Sequence, residues 1–295
     1  MEHSFDVLLE QRVLGCLIAV LVAAFISWLA WRKKFYQMPA CSHAGISFLG
    51  WRDLLRAFGL FLSLELFVAP LLYTLWVSIQ YGINTAPLTN DSVAKGWINL
   101  TSIAVAGCGL GFFFFKFLDP RQQREVYGEN AGKDRGYNIA FGLFSWVIVY
   151  PWMIAIGQII GTLVQYIHQG EQVDQVAVRL LKDLMNQPML LWLTMLAIVT
   201  IVPLIEELMF RGFLQTWLKS HVGRIQAIVC TSIVFSLFHY SESQGVGNIE
   251  LLISLFVLSC YLGFLKERQN SLWPSIGLHA AFNFVSLVLI IFAEI

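Results

Sequence analysis

The 295-residue sequence contains few charged residues and few cysteines. Charged side chains account for 13% of it, whereas soluble proteins carry about 25%. The five cysteines include no CxxC pair, so the sequence predicts neither a disulfide framework nor a cysteine-ligated metal. The 19 lysines and arginines balance the 19 aspartates and glutamates. This balance gives no indication of a nucleic-acid partner.

Long hydrophobic runs are abundant instead. Hydrophobic residues make up 57% of the chain, and a membrane-spanning helix needs about 20 mostly apolar residues. We therefore predict an all-α membrane protein, a polytopic bundle of about eight transmembrane helices. No internal repeat or low-complexity linker divides it, which indicates one integrated membrane domain. The predicted segments are 13–31, 57–80, 97–118, 137–167, 188–210, 224–240, 248–265 and 272–293.

The lysines and arginines predict an orientation for these segments. If the N-terminus lies outside, nearly all of them fall in inner loops; the exceptions are Arg12, Lys95, Arg179 and Lys182. Cytoplasmic loops are enriched in lysine and arginine. We therefore expect both termini on the outer side of a membrane, and we place the protein in a bacterial inner membrane.

Ionisable residues within the apolar segments are rare. A charged side chain at the bilayer centre costs roughly 2.5–3.5 kcal/mol on insertion scales, and such residues usually mark function. Away from their ends, the segments contain Glu65, the adjacent pair Glu206 and Glu207, and the histidines His239 and His279, while Glu250 lies at a segment end. For Glu65 we favour a neutral or hydrogen-bonded acid over a residue that lines a proton or ion path.

Helical spacing separates the two adjacent glutamates. Glu207 and Arg211 are four residues apart and can pair on one helix face. Glu206 points about 100° away and is not forced to share the arginine. By the same spacing, His279 and Asn283 lie on one face of a later helix. The charge of Glu207 is therefore neutralised, while Glu206 is available for chemistry.

Together these groups suit a water-activating site in an intramembrane catalytic cavity. Glu206 would act as general base, and His239 would hold or help to deprotonate the same water. His279 and Asn283 would donate hydrogen bonds to the developing oxyanion of a carbonyl group. The sequence lacks a GxSxG motif, which disfavours a serine nucleophile.

A metal site is an open alternative. Glu206, His239 and His279 are a ligand set that zinc accepts. However, the sequence contains no HExxH, and Glu206 would have to be both a ligand and the only obvious base. We therefore favour direct activation of water, without a required cofactor, over a divalent metal such as zinc.

These residues resemble the motifs of the CAAX prenyl protease 2 and bacteriocin-processing (CPBP, or ABI) family of intramembrane endopeptidases. The family carries EExxxR, FxxxH and HxxxN in this order on separate membrane helices. Here they read Glu206-Glu207-xxx-Arg211, Phe235-xxx-His239 and His279-xxx-Asn283. The resemblance covers about 188–293, within a region that we assign to 131–295. The stretch 1–130 consists of apolar helices without a motif.

The resemblance implies a peptidase, commonly classed as a metalloendopeptidase, that cleaves membrane-anchored or lipidated proteins or peptides. The roles that it implies for Glu206, His239, His279 and Asn283 are the catalytic ones given above. Glu207, Arg211 and Phe235 would support them. The other expected partner is the lipid bilayer, and the sequence does not indicate an oligomeric state.

Two functions of other classes are compatible with the sequence. A proton- or ion-coupled carrier could be built around Glu65, Glu206 and the two histidines, although the inverted repeats typical of carriers are not apparent. A non-catalytic membrane protein, such as an immunity or scaffold protein, could keep the same motifs. Loss of peptide cleavage on replacing Glu206 would distinguish the peptidase from both.

Overall fold

The described part of the chain is helical throughout. A computed structural model describes residues 2–40, 47–81, 92–132, 134–168 and 175–294, and every regular element in these ranges is a helix. An apolar chain in a bilayer has to satisfy its own backbone hydrogen bonds, and a helix does so within one segment.

The α-helices are numbered in chain order within these ranges. Two π-helical segments continue α-helices without a break: Leu64–Val68 joins α2 to α3, and Leu208–Gln215 joins α8 to α9. The α-helices are α1 (Glu2–Arg32), α2 (Trp51–Ser63), α3 (Ala69–Tyr81), α4 (Ser92–Phe117), α5 (Pro120–Tyr127), α6 (Arg135–His168), α7 (Val176–Asp183), α8 (Pro188–Glu207), α9 (Thr216–Val222), α10 (Arg224–Leu237), α11 (Gly247–Gln269) and α12 (Trp273–Glu294).

Seven helical stretches of the described chain are long and apolar enough to cross a membrane. This confirms the polytopic helical bundle, and the remaining predicted segment corresponds to a shorter apolar helix. The stretch that falls short is α10, which has 14 residues. The seven are Arg12–Arg32, Trp51–Ile79, Val93–Phe117, Arg135–Ile167, Pro188–Val222, Gly247–Gln269 and Trp273–Phe292.

Helix α10 is short because the end of the apolar run 224–240 is not helical. The chain turns after Leu237, and the side chain of Asn248 holds the turn closed. Its Nδ2 donates to the carbonyls of Ser241 and Gly245, while its Oδ1 accepts from the backbone N–H of Ser241. Hydropathy alone does not detect such a stop, because the residues that end the helix are themselves apolar or aromatic.

The two larger apolar clusters among the described residues hold the bundle together. The first packs α2 and α4 against α8 and the π-helical segment Leu208–Gln215, with Phe210 and Phe235 among its buried residues. The second packs α1 and α6 against α11 and α12, with Leu262 and Leu278 fully buried. The polar site residues predicted from the sequence lie where α8, α10 and α12 meet, between these two clusters.

The basic loops come together at one end of the bundle. Arg268, at the end of α11, donates to the carbonyls of Lys34 and Phe35, just beyond the end of α1. Arg224, at the start of α10, donates to the carbonyl of Pro39. We call this end the basic end. Away from the basic end, α7 contacts the segment that follows α10, where Nη2 of Arg179 donates to Oγ of Ser243.

Candidate active site

The predicted glutamates, histidines and asparagine of the site lie on two helices and one turn. Glu206 and Glu207 are the last two residues of α8, directly before the π-helical segment Leu208–Gln215. Segments of π-helix occur frequently at functional sites. His239 lies in the turn after α10, while His279 and Asn283 lie on α12. Residues that are far apart in sequence thus meet inside the bundle.

Glu206 faces both histidines. Its Oε1 lies 3.9 Å from Nε2 of His239, and its Oε2 lies 3.7 Å from Nε2 of His279. The Oε2 atom is buried and has no hydrogen-bond partner in the described chain. The Glu206 side chain is 21% exposed and that of His239 is 31% exposed. The carboxylate is therefore screened from bulk solvent but still reachable.

The backbone selects one tautomer of His239. Its Nδ1 lies 2.9 Å from the carbonyl oxygen of Phe235, and because a carbonyl only accepts, Nδ1 must carry the proton. In the neutral ring, Nε2 is then an acceptor. Nε2 and the Glu206 carboxylate are two acceptors 3.9 Å apart. A water molecule between them would donate one O–H to each.

Glu207 is occupied by two partners. Its Oε1 accepts from Nη1 of Arg211 at 2.9 Å and pairs with Nδ1 of His279 at 2.9 Å. Both the Glu207 and Arg211 side chains are fully buried. Glu207 therefore neutralises Arg211, as its spacing predicts, and also orients His279, which the spacing does not show.

Arg211 is held in turn by α11 and by an aromatic ring. Its Nη2 donates to Oγ of Ser259 at 2.7 Å and to the Ser259 carbonyl at 3.2 Å. Its guanidinium stacks on Phe235, 4.5 Å from the ring centroid. Phe235 also contacts the rings of His239 and His279. Phe235, the phenylalanine of the FxxxH motif, therefore packs against Arg211, His239 and His279.

Ser259 is a site-supporting residue that sequence reasoning missed. It lies on the same face of α11 as Gly263 and Glu267, which follow it at four-residue steps. The carbonyl of Gly263 and the carboxylate of Glu267 both accept from Nε2 of Gln215. On the facing helix, Arg211 and Gln215 have the same four-residue step. This matched periodicity is a signal that could have identified Ser259.

Asn283 lies one helical turn after His279, but its side chain is hydrogen-bonded to α8 rather than to the other site residues. Its Nδ2 donates to the carbonyl of Ile198 on α8 at 2.9 Å. A carboxamide nitrogen carries two hydrogens, so one N–H remains for another acceptor. The amide also ties α12 to α8.

The metal alternative would use three of the same side chains. Glu206, His239 and His279 supply donor atoms that zinc accepts. However, no group of three histidine, cysteine, aspartate or glutamate side chains within the described ranges is arranged to hold a metal ion.

Glu65 lies near this site, although it shares no motif with it. It lies in the π-helical segment Leu64–Val68 and is half-buried. Its carboxylate interacts electrostatically with that of Glu206.

Comparison with protein families supports the resemblance seen in the motifs. A family model described as Type II CAAX prenyl endopeptidase Rce1-like matches residues 188–285. This segment is similar to the domain that the family model describes. The match begins with α8 and includes all three motifs. Together with the seven long apolar helices, it indicates a multi-pass membrane protein with a region similar to a CAAX-type protease. Comparisons with curated proteins and with solved structures gave no match.

Proposed function

We propose that the protein is an intramembrane endopeptidase that hydrolyses a peptide bond in a membrane-associated substrate by activating water directly. The observation that carries the proposal is the placement of one carboxylate, Glu206, against Nε2 of both His239 and His279. Oε1 of its neighbour Glu207 is engaged by both Arg211 and His279. The family match supports the same class of reaction.

Glu206 and His239 would activate the water. A water between the two acceptors is oriented by both, and transfer of its proton to Glu206 leaves hydroxide to attack the carbonyl carbon. As the carbon–nitrogen bond breaks, the proton passes from Glu206, directly or through His239, to the departing amine. The products are a carboxylic acid and an amine, so one water is consumed for each bond cleaved.

His279 and Asn283 would stabilise the oxyanion. Asn283 keeps one N–H after its hydrogen bond to Ile198. Since Nδ1 of His279 faces Glu207, its Nε2 can also donate only when both ring nitrogens carry protons. Hydrogen bonds that strengthen as charge develops lower the barrier more than those made equally to the substrate.

Replacing Glu206 tests the proposal. Glu206→Gln keeps the size of the side chain but removes the base, so cleavage of membrane-anchored peptides should fall by at least about 100-fold. Glu250→Gln is a matched control, because Glu250 is a half-buried carboxylate inside a span, beside Gly157 and Gly161 rather than the site. Cleavage by purified, reconstituted protein would be followed by mass spectrometry.

The results for Glu206→Gln and Glu250→Gln are interpreted together. Thermal unfolding shows whether each variant is folded. A folded Glu206→Gln protein that cleaves as fast as the wild type would refute the mechanism. So would a wild type that cleaves no peptide in a broad panel of lipid-modified and transmembrane substrates.

Chelation tests direct water activation separately. Because no described side-chain group is arranged to hold a metal, cleavage should survive treatment with EDTA, and elemental analysis should find less than one metal ion per chain. Activity that disappears with EDTA and returns with added zinc would instead assign a metal to Glu206, His239 and His279.

A further inference from the structure

Glu65 lies inside a membrane span but does not face lipid. It belongs to the π-helical segment Leu64–Val68 and is half-buried. The next two residues, Leu66 and Phe67, are 61% and 71% exposed and form the outer surface of the bundle. The carboxylate therefore lies on the side of the helix that turns away from these two apolar side chains.

Helix α4 contacts the residue directly before Glu65 and the residue directly before Glu206 at nearly the same depth in the bundle. A Cβ on Gly109 would overlap the side chain of Leu64, and a Cβ on Gly107 would lie 3.3 Å from Cδ1 of Ile205. The two glycines are two residues apart on one helix. Leu64 and Ile205 directly precede Glu65 and Glu206, which places the two acids at neighbouring levels.

Helix α2 also contacts the helical turns on both sides of Glu206. The ring of Phe58 lies 5.8 Å from that of Phe210, one turn after Glu206, and 6.1 Å from that of Phe238, directly before His239. Glu65 follows Phe58 by seven residues, about two helical turns. The helix that carries Glu65 is thus a wall of the proposed active site.

The charge of Glu65 has no counter-ion in the described chain. Glu206 is the charged side chain with which its carboxylate interacts, and none of the described lysines or arginines pairs with it. Arg211, the buried cation of the site, is taken by Glu207. An ionisable group inside a membrane generally has a partner.

We propose that Glu65 determines substrate specificity by accepting a lysine or arginine side chain of the substrate close to the scissile bond. This inference rests on the proposed peptidase function. Since an extended peptide advances about 3.3 Å per residue, a substrate whose carbonyl lies at Glu206 brings its neighbouring side chains to Glu65. A cationic side chain is attracted by two carboxylates, whereas an acidic one is repelled by both.

The experiment uses a library of membrane-anchored peptides that is randomised around the cleavage region. Wild-type protein is reconstituted in lipid vesicles, and the cleaved bonds are identified by mass spectrometry. We expect lysine and arginine to be enriched, and aspartate and glutamate depleted, within three residues of the cleaved bond. Absence of both biases would overturn the inference without any variant.

Variants at Glu65 then assign the preference to this residue. For a peptide pair that differs only in lysine or glutamate near the bond, the wild type should favour lysine at least about tenfold in kcat/KM, as expected for one charged contact. Glu65→Gln should bring the ratio close to one, and Glu65→Lys should invert it. Glu65→Asp, which keeps the charge, and the control Glu250→Gln should retain the preference.

Failure of the inference is distinguishable from failure of the function. If the wild type cleaves nothing, the peptidase function itself fails. If Glu65→Gln cleaves the same bonds with the same preference, the function stands and Glu65 is not the determinant. A uniform loss of kcat on all peptides, without a change in preference, would also overturn the specificity role.

Discussion

Adjacent glutamates serve different purposes here because they project from one helix in different directions. Glu207 turns inward to Arg211 and His279 and is fully buried, while Glu206 faces the two Nε2 atoms and retains 21% exposure. The Glu207 carboxylate is thus occupied by an arginine and closed off from solvent. The carboxylate without such a partner is the one suited to accept a proton from water.

Replacing Ser259 should weaken catalysis without touching the substrate. Ser259→Ala removes the 2.7 Å hydrogen bond from Arg211, and a hydrogen bond to a charged group contributes about 1.5–3 kcal/mol. Arg211 and Glu207 would then hold His279 less firmly. We expect kcat to fall about tenfold, equivalent to about 1.4 kcal/mol, with KM nearly unchanged. Steady-state kinetics measures both constants.

Ser145→Ala is the control for this variant. Ser145 is also buried, and its Oγ donates to the carbonyl of Phe141 within α6. Comparable thermal unfolding of the two variants, with kcat reduced only in Ser259→Ala, would support a positioning role. Equal kcat values in both would show that Ser259 does not act through Arg211.

Much of the residue-level arrangement follows from spacing, and part of it does not. The pairing of Glu207 with Arg211 is predictable because both lie on one helix, four residues apart. The contact between Arg211 and Ser259 joins α11 to the segment after α8. No local rule relates two residues that are 48 positions apart, so only the packing of the helices reveals it.

At the scale of elements, close glycine contacts fix the helix that carries His279. Gly142 on α6 and Gly277 on α12 face each other, and a Cβ on Gly277 would lie 3.3 Å from Cα of Gly142. Small residues at such crossings let membrane helices approach closely. Since Gly277 precedes His279 by two residues, this contact also sets the position of the histidine.

Gly142→Ala should therefore impair both stability and activity. The added Cβ would overlap the backbone carbonyl of Pro274, which cannot move aside as a side chain can. Overpacking costs typically about 1–3 kcal/mol, and a displacement of about 1 Å at a site can reduce the rate about 100-fold. Thermal unfolding and peptide cleavage would measure the two effects.

Gly136→Ala provides the comparison on the same helix. Gly136 lies near the start of α6, where an added Cβ would meet nothing within 4 Å, and alanine has the higher helix propensity. This variant should be neutral or slightly stabilising. If Gly142→Ala matched it in stability and cleavage, the close crossing of α6 and α12 would not be required.

For the whole molecule, the short helix α10 decides the topology. Helices α9 and α10 meet at Gly223 near the basic end, and α11 returns to that end at Gln269. The chain therefore changes ends of the bundle at α10, although α10, with 14 residues, is shorter than a full membrane span.

Reporter fusions test this path. With the basic end in the cytoplasm, as the lysine and arginine bias predicts, alkaline phosphatase should be active after Ile295 and inactive after Arg32 or Gly223. Green fluorescent protein should give the opposite pattern, because it fluoresces only in the cytoplasm of the bacterial host. Phosphatase activity after Gly223 but not after Ile295 would reverse the orientation.

The amino-acid sequence by itself determined the membrane class, most of the helices, the three motifs and the Glu207–Arg211 pair. These features depend on composition and on spacing along one helix, which are local properties. Only the tertiary structure decided that Glu206 faces both imidazoles, that Ser259 supports Arg211, that α10 stops early and that Glu65 lies beside the site. Each of these depends on how separate helices pack, through glycine contacts and buried hydrogen bonds between residues far apart in the chain.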